Sequence, residues 1–446
     1  MMNWILTLIS LTIFLELLPD MLQSKMHRLL ALCLLVPLTS LVSTSSPMQI
    51  EWNTTRSYGP DGPWPVATIE VGTDTQGNWV DTVDLHPGGV WQHLMLSKQF
   101  CNGQSQCRAA AADLYDINPS QSAMCGPTKS SQMNGDSWQY EHGRGSHCND
   151  SVAPSGHLFP LSPNQMFSAS FGLHYGSVTL GLVGFLVFGG FEQSRVLGDA
   201  VVLDVSLDNA MIVPLLDIEI GVETRGTPFN SSVPYPGSAS ETNTSYITGL
   251  LQQIGSFHDG QPTITDPQVS HMSLSPETCS NIAQNLPVTL QPDIGLYKWV
   301  TDKSTVAQIV QSPAYLAFVF ADSGTGNIII KVPFALLNLT IELPIVALPQ
   351  QYFPCRPHQA DDETGYLSLG KAFFQAAFIG RNWAANKWLM AQAPEPGIGP
   401  SKLRLVDKDD TAIITSDPIG NFGTSWAQYW TLSVHPVARS YRRWLI

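Results

Sequence analysis

Apolar and polar residues alternate through "WPVATIEVGTDTQGNWVDTVDL", residues 64–85, on both sides of a Gly-Thr-Asp turn. A period of two sends successive side chains to opposite faces of an extended chain, so the stretch predicts a β-hairpin. "VVLDVS", "MIVPLLDIEIGVE" and "ITGLLQQI" read as further strands. "YGSVTLGLVGFLVFGGF" is strand material punctuated by glycines, too β-branched and too interrupted for a helix. In "AYLAFVFADSGTGNIIIKVP" two long apolar runs flank a Gly-rich turn, which predicts a second hairpin.

Helical signals are few. "SPETCSNIAQNL" is the clearest: Ser275 is placed to cap it, Pro276 takes its first position and Glu277 its positive end. A short helical patch surrounds "RAAAADLY", inside a loop-like, Cys- and Gly-rich stretch from 99 to 149. Residues 51–62 read as polar and turn-rich, and 230–244 as a polar excursion. "YLSLGKAFFQAAFIGRNWAANKWLMAQA" supplies a strand, a short apolar segment and a closing hairpin. No internal repeat occurs, and the predicted class is all-β with a few short helices.

Charge narrows the functional classes. The chain has 446 residues, a formal net charge of −14 and only 13% charged residues. An acidic balance without basic patches argues against nucleic acid and anionic membrane surfaces as partners. Two apolar runs open the chain, and the second, "MHRLLALCLLVPLTSLVSTSS", has the basic start, apolar centre and small-residue end of a secretory leader. Met26 reads as the true start, with residues 1–46 as a leader region removed near Ser43 to Ser46; a signal anchor is the competing reading. Sequons at Asn53, Asn149, Asn230, Asn243 and Asn338 are candidate glycan sites in the same compartment. Past the leader stand six cysteines, Cys101, Cys107, Cys125, Cys148, Cys279 and Cys355, an even count that suits three disulfides in an oxidising compartment. His142 and His147 lie near two of them without a tight zinc-ligand spacing, so a Cys125–Cys148 disulfide is expected rather than a metal site.

The order of the pieces from Trp64 to Ala393 resembles the pepsin family of aspartic peptidases, and most of all its divergent fungal secreted or membrane-anchored members. "TIEVGTDTQ" resembles the family's opening strand and turn, and Asp84 precedes Trp91 by the spacing between the family's first catalytic aspartate and a tryptophan. "LVFGGFEQSR" resembles a late first-lobe glycine turn. "TITDPQVSHMSLSPETC" resembles the region of the second catalytic aspartate, and "GYLSLGKAFFQAAFIG" the late strand ending in Leu-Gly. The resemblance implies a bilobal fold: an N-terminal lobe over 47–205, shortened, a C-terminal lobe over 206–395, and an extension over 396–446. It implies disulfides joining Cys101 to Cys107 and Cys279 to Cys355. It also implies Asp84 and Asp266 as the catalytic pair facing each other across the lobes, with Tyr140 as the flap candidate.

In this family two carboxylates share a proton and activate a water against the scissile amide. Each acid normally begins an Asp-Thr/Ser-Gly turn, whose hydroxyl bonds across the lobes and whose glycine permits close backbone approach. Here the turns read Asp84-Leu85-His86 and Asp266-Pro267-Gln268. Both acids are present and both supporting hydroxyls are gone. A literal motif match, Asp322-Ser323-Gly324-Thr325, lies between two strands where a hairpin turn is expected, and is read as turn chemistry. The leading expectation is a secreted, glycosylated, monomeric pseudoenzyme whose cleft binds peptide or cell-wall material, without cofactor or metal. Two readings compete: an active endopeptidase using Asp84 and Asp266, and a structural or adhesive cell-surface protein. Membrane association is the alternative localisation.

Overall fold

The computed structural model describes residues 47–87, 114–125, 129–131, 143–145, 148–150, 152–154, 170–204, 211–223, 228–229, 245–267, 269–300, 303–322, 326–358, 366–394, 400–413 and 421–430. Strands dominate, with four short α-helices among the described residues, so the chain is all-β as its patterning predicts. Residues 47–446 form one compact unit.

The predicted hairpin of residues 64–85 is present as Trp64–Thr73 against Trp79–Leu85. Its neighbour corrects the sequence reading. Residues 51–62 are not simply turn-rich: Met48–Glu51 and Asn53–Tyr58 are strands, and the latter pairs with Trp64–Thr73. "NTTRSY" carries no apolar alternation, so it gives no periodic signal; its strand character comes from the partner it lies beside.

A six-stranded antiparallel sheet takes strands from both halves of the chain, in the order Met48–Glu51, Phe185–Phe188, Ser170–His174, Ala377–Asn382, Lys387–Gln392 and Leu197–Asp204. The pairing of Ser170–His174 with Ala377–Asn382 is the seam between the halves. One face of this sheet, with Leu173, Leu203, Ile379 and Met390, belongs to the main core. The other face buries Phe378, Leu389 and Ala391 beneath Val406 and Ile413 from the chain's last part.

In the second half, Ala314–Ala321 pairs with both Ile212–Val222 and Asn327–Pro333. Seven of its eight residues are buried, which is why "AYLAFVF" is continuously apolar instead of alternating. "ITGLLQQI" departs from its strand reading, since only Ser245–Ile247 pairs. The helix Pro276–Ala283 forms where its caps predict, with the Thr278 N–H donating to Ser275 Oγ at 3.1 Å. Its inward-facing Cys279 is bonded to Cys355, with Cα atoms 5.8 Å apart. A second helix, Lys303–Val310, stands between Asp302 and Pro313, a start and a stop signal that the strand-dominated reading passed over.

Candidate functional site

Asp84 lies within its strand, one residue before the strand ends, and opposite Thr68. Its side chain is fully enclosed. Oδ1 accepts a 2.6 Å hydrogen bond from Thr68 Oγ1; Oδ2 accepts one of 2.9 Å from the Tyr58 hydroxyl and one of 3.1 Å from Arg56 Nη1. Arg56 is about half exposed, at 46% of its side-chain area, so the guanidinium reaches the acid from the solvent side. Arg56 and Tyr58 are alternate residues of one strand and therefore project to the same side. Three donors, one of them charged, hold this carboxylate on its own sheet.

The second acid sits in a different setting. Gln261–Thr265 runs parallel to Leu367–Leu369, and Met272–Leu274 runs antiparallel to that same short strand on its other side. The chain between them, residues 266–271, must loop around the end of Leu367–Leu369, and this loop carries Asp266. The Asp266 N–H donates to Leu369 O at 3.0 Å, Gly370 N–H to His271 O at 2.9 Å and Lys371 N–H to Val269 O at 2.7 Å. The crossing is so tight that a Cβ on Gly370 would stand 2.2 Å from Val269 O, which is why glycine is required there. Asp266 itself is half-buried.

Two side chains connect the turns. Tyr175 is fully buried at the end of the strand Ser170–His174, and its hydroxyl donates to Pro87 O at 3.4 Å. Burial, and after it the charge of Asp266, raises this phenol well above its ordinary value. Tyr175 therefore touches the chain just after Asp84 and lies within electrostatic reach of Asp266. His86 is half-buried and its Nδ1 lies 3.2 Å from Pro65 O. Burial, then the ammonium of Lys371, pushes it down to about 3. Lys371 is itself buried and its Nζ lies 5.8 Å from the centre of the Trp64 ring. His86 thus stands where close backbone approach was expected of glycine; Gln268, its counterpart in the second turn, lies outside the described residues.

A buried polar group beside these turns escaped sequence reading. His271 Nε2 lies 3.6 Å from Asp61 Oδ2; Asp61 Oδ1 accepts from Trp64 Nε1 at 2.9 Å, and its backbone oxygen accepts from the Tyr352 hydroxyl at 2.6 Å. "PDGPW" carries the only signal, an acid followed at three residues by a tryptophan whose N–H needs an acceptor once buried.

The remaining candidates divide by position. Asp322 is half-buried at the end of Ala314–Ala321, where its N–H closes the hairpin onto Gly326 O at 3.0 Å. Cys125 is disulfide-bonded, and the residue opposite it in its short ladder is Cys148. Asn53 and Asn149 lie on paired strands, and Asn338 is half-buried just before Leu339–Ile341. Tyr140, Cys101, Cys107, Asn230, Asn243 and residues 1–46, where a leader was expected, lie outside the described residues. No helix among the described residues is long and apolar enough to cross a membrane, and no cluster of three or more metal-ligating side chains occurs among them.

No family model and no curated protein matches this chain. Among solved structures, the crystal structure of an aspartic proteinase from Irpex lacteus is similar with a TM-score of 0.48 and 12% identity, over 78% of this chain and 98% of that one.

Proposed function

We propose that this chain is a secreted, glycosylated pepsin-like protein that has lost peptidase activity, its cleft holding peptide or cell-wall material without cutting it. The observation that carries this reading is the state of Asp84. A water-activating carboxylate must present an oxygen to the water and to its partner acid. Asp84 instead binds Arg56, Tyr58 and Thr68 inside its own sheet. Leu85 and Pro267 supply no hydroxyl in its place, and a site whose supporting contacts are missing is a poor catalyst.

The pepsin-like part of the reading draws on the sheet shared by the two halves and on the loop carrying Asp266 around Leu367–Leu369. Secretion draws support from the leader, the sequons and the oxidised Cys125, Cys279 and Cys355.

The active-peptidase reading keeps one specific support: the Tyr175 hydroxyl donates to Pro87 O, three residues past Asp84, and its phenol feels the charge of Asp266. Incubation with a denatured protein between about pH 3 and 6, the range around carboxylate pKa values, separates the readings. The expected result is no cleavage together with saturable pepstatin binding. Cleavage that disappears in a folded Asp266→Ala variant overturns the loss of activity, and absence of both cleavage and pepstatin binding favours the adhesive reading.

A further inference from the structure

Arg381 is 2% exposed, on the strand Ala377–Asn382 at the seam of the six-stranded sheet. Its register partners are Phe171 on one side and Trp388 on the other, so all three project from the same face. The guanidinium carbon lies 4.8 Å from the centre of the Trp388 ring. Nε and Nη1 are enclosed and make no hydrogen bond, and no carboxylate among the described residues pairs with this charge. Burial lowers the group to about 10, so it remains a cation at neutral pH.

A buried guanidinium without an acceptor is an exception among charged groups, which are found inside proteins only when paired. The Trp388 face compensates part of the desolvation through its quadrupole, but supplies no acceptor for the N–H groups. Arg195, the other buried arginine among the described residues, shows the contrast: it lies over the Phe185 ring at 4.1 Å and also has His174 Nδ1 at 3.5 Å from Nη1. Around Arg381 the walls are aromatic. The Phe171 ring lies 5.2 Å from Trp383, tilted to it, and 6.0 Å from Trp388, edge-on, and both Phe171 and Trp383 are half-buried, so this aromatic cluster extends from the enclosed guanidinium toward the surface.

We infer that Arg381, with Phe171, Trp383 and Trp388, forms a binding site for a carboxylate borne on a flat apolar body, such as an aryl carboxylate. The planar fork of donors matches a carboxylate, and the rings match the body behind it. The site uses no residue of the two acid-bearing turns and stands or falls apart from the peptidase question.

Titrating the whole chain with benzoate, acetate and inorganic phosphate, read by tryptophan fluorescence and calorimetry, tests this. Saturable benzoate binding is expected, at least about tenfold tighter than acetate or phosphate and at least about tenfold weaker in Arg381→Met, with Arg381→Lys retaining part of it. Trp383→Ala, farther from the core, should weaken benzoate and leave acetate unchanged; it serves where Arg381→Met does not fold. No saturable benzoate binding by the wild type, or equal binding by a folded Arg381→Met, overturns the site. Equal affinity for benzoate and acetate overturns the role of the rings.

Discussion

Arg56 reaches Asp84 across the intervening strand Trp64–Thr73, with Nη1 3.1 Å from Oδ2 of a carboxylate that has no exposed side-chain surface. The pair makes Asp84 part of how the first hairpin is held. Removing Asp84 strips the acceptor from Tyr58 and Thr68 as well. Breaking a buried pair costs roughly 3–5 kcal/mol, and the half-exposed Arg56 reduces this because water re-solvates it. Asp84→Ala is therefore expected to lose about 1–3 kcal/mol in urea unfolding, and Arg56→Ala about 1 kcal/mol. A catalytic acid with no structural duty would leave the unfolding midpoint unchanged.

His174 gives the chain a pH dependence of its own. It is fully buried; Nε2 faces Gln375 O at 3.1 Å, which fixes it as the donor, and Nδ1 faces Arg195. Burial first, and Arg195 second, lowers it from 6.5 to about 3. Between those values the unfolded chain binds a proton that the folded chain does not. Stability therefore falls as pH drops below about 6.5, by about 1.4 kcal/mol per unit for this residue, until about pH 3. His86, lowered to about 3 as well, acts in the same direction. Urea midpoints measured from pH 7 to 4 should fall, and His174→Gln should flatten the slope. A chain equally stable at pH 4 and 7 would contradict it.

The hairpins and the helix Pro276–Ala283 were legible because each is a local pattern: alternation, a turn composition, a cap and a proline. The seam between the halves was not, because Ser170–His174 and Ala377–Asn382 each look like one more strand and nothing in either names its partner. The spacing that marks Asp84 is a distance along the chain, and it locates the residue without saying what surrounds it. Tyr58 and Arg56, 26 and 28 residues upstream, lie in a polar run with no periodicity. Arg381 occupies an alternate position of a strand and would ordinarily be read as its polar face; only burial on both sides of the sheet reveals it.

Gly370 tests the loop that carries Asp266. An added Cβ would meet Val269 O at 2.2 Å and His271 O at 2.6 Å, both backbone atoms of the loop itself. Neither can move without breaking the bonds from Gly370 and Lys371 N–H groups to those same oxygens. Gly370→Ala is expected to cost about 2–4 kcal/mol by overpacking and lost hydrogen bonds. Thermal unfolding checks this. Unaltered stability would mean that the loop does not wrap the strand as described.

The disulfide joins residues 76 apart in sequence and fixes the helix Pro276–Ala283 to the strand Cys355–Pro357. Both cysteines are fully buried, so reduction also leaves two thiols in the core. Cys279→Ala with Cys355→Ala is expected to lower stability by about 2–5 kcal/mol, the usual effect of removing a native cross-link. Equilibrium unfolding of the double variant and of the wild type, both without reductant, checks this, and an unchanged midpoint would contradict it.

Glu192 decides whether the chain's late segment is an integral part of the fold. Its buried carboxylate accepts from the N–H groups of Ser194 and Lys402, at 3.0 and 2.6 Å, and from the Ser401 hydroxyl. The strand Leu403–Leu405 then pairs with Gly190–Glu192, so close that a Cβ on Gly190 would lie 2.0 Å from Arg404 O. From this anchor Val406 and Ile413 reach the outer face of the six-stranded sheet and cover Phe378 and Leu389. Asn382 adds a second tie, its Nδ2 donating to Asp407 O and Asp410 O at 2.8 Å. Glu192→Ala removes the acceptor for two donors of the late segment, at about 1–3 kcal/mol for buried groups left unsatisfied. Since Val406 and Ile413 each contribute about 1.5–3 kcal/mol by burial, the segment should loosen locally before the whole chain unfolds. Amide exchange should therefore accelerate at Lys402 and Val406 in Glu192→Ala while Phe318 stays protected. Equal acceleration at all three would show that the segment and the core open together, and no acceleration would show that Glu192 does not anchor it.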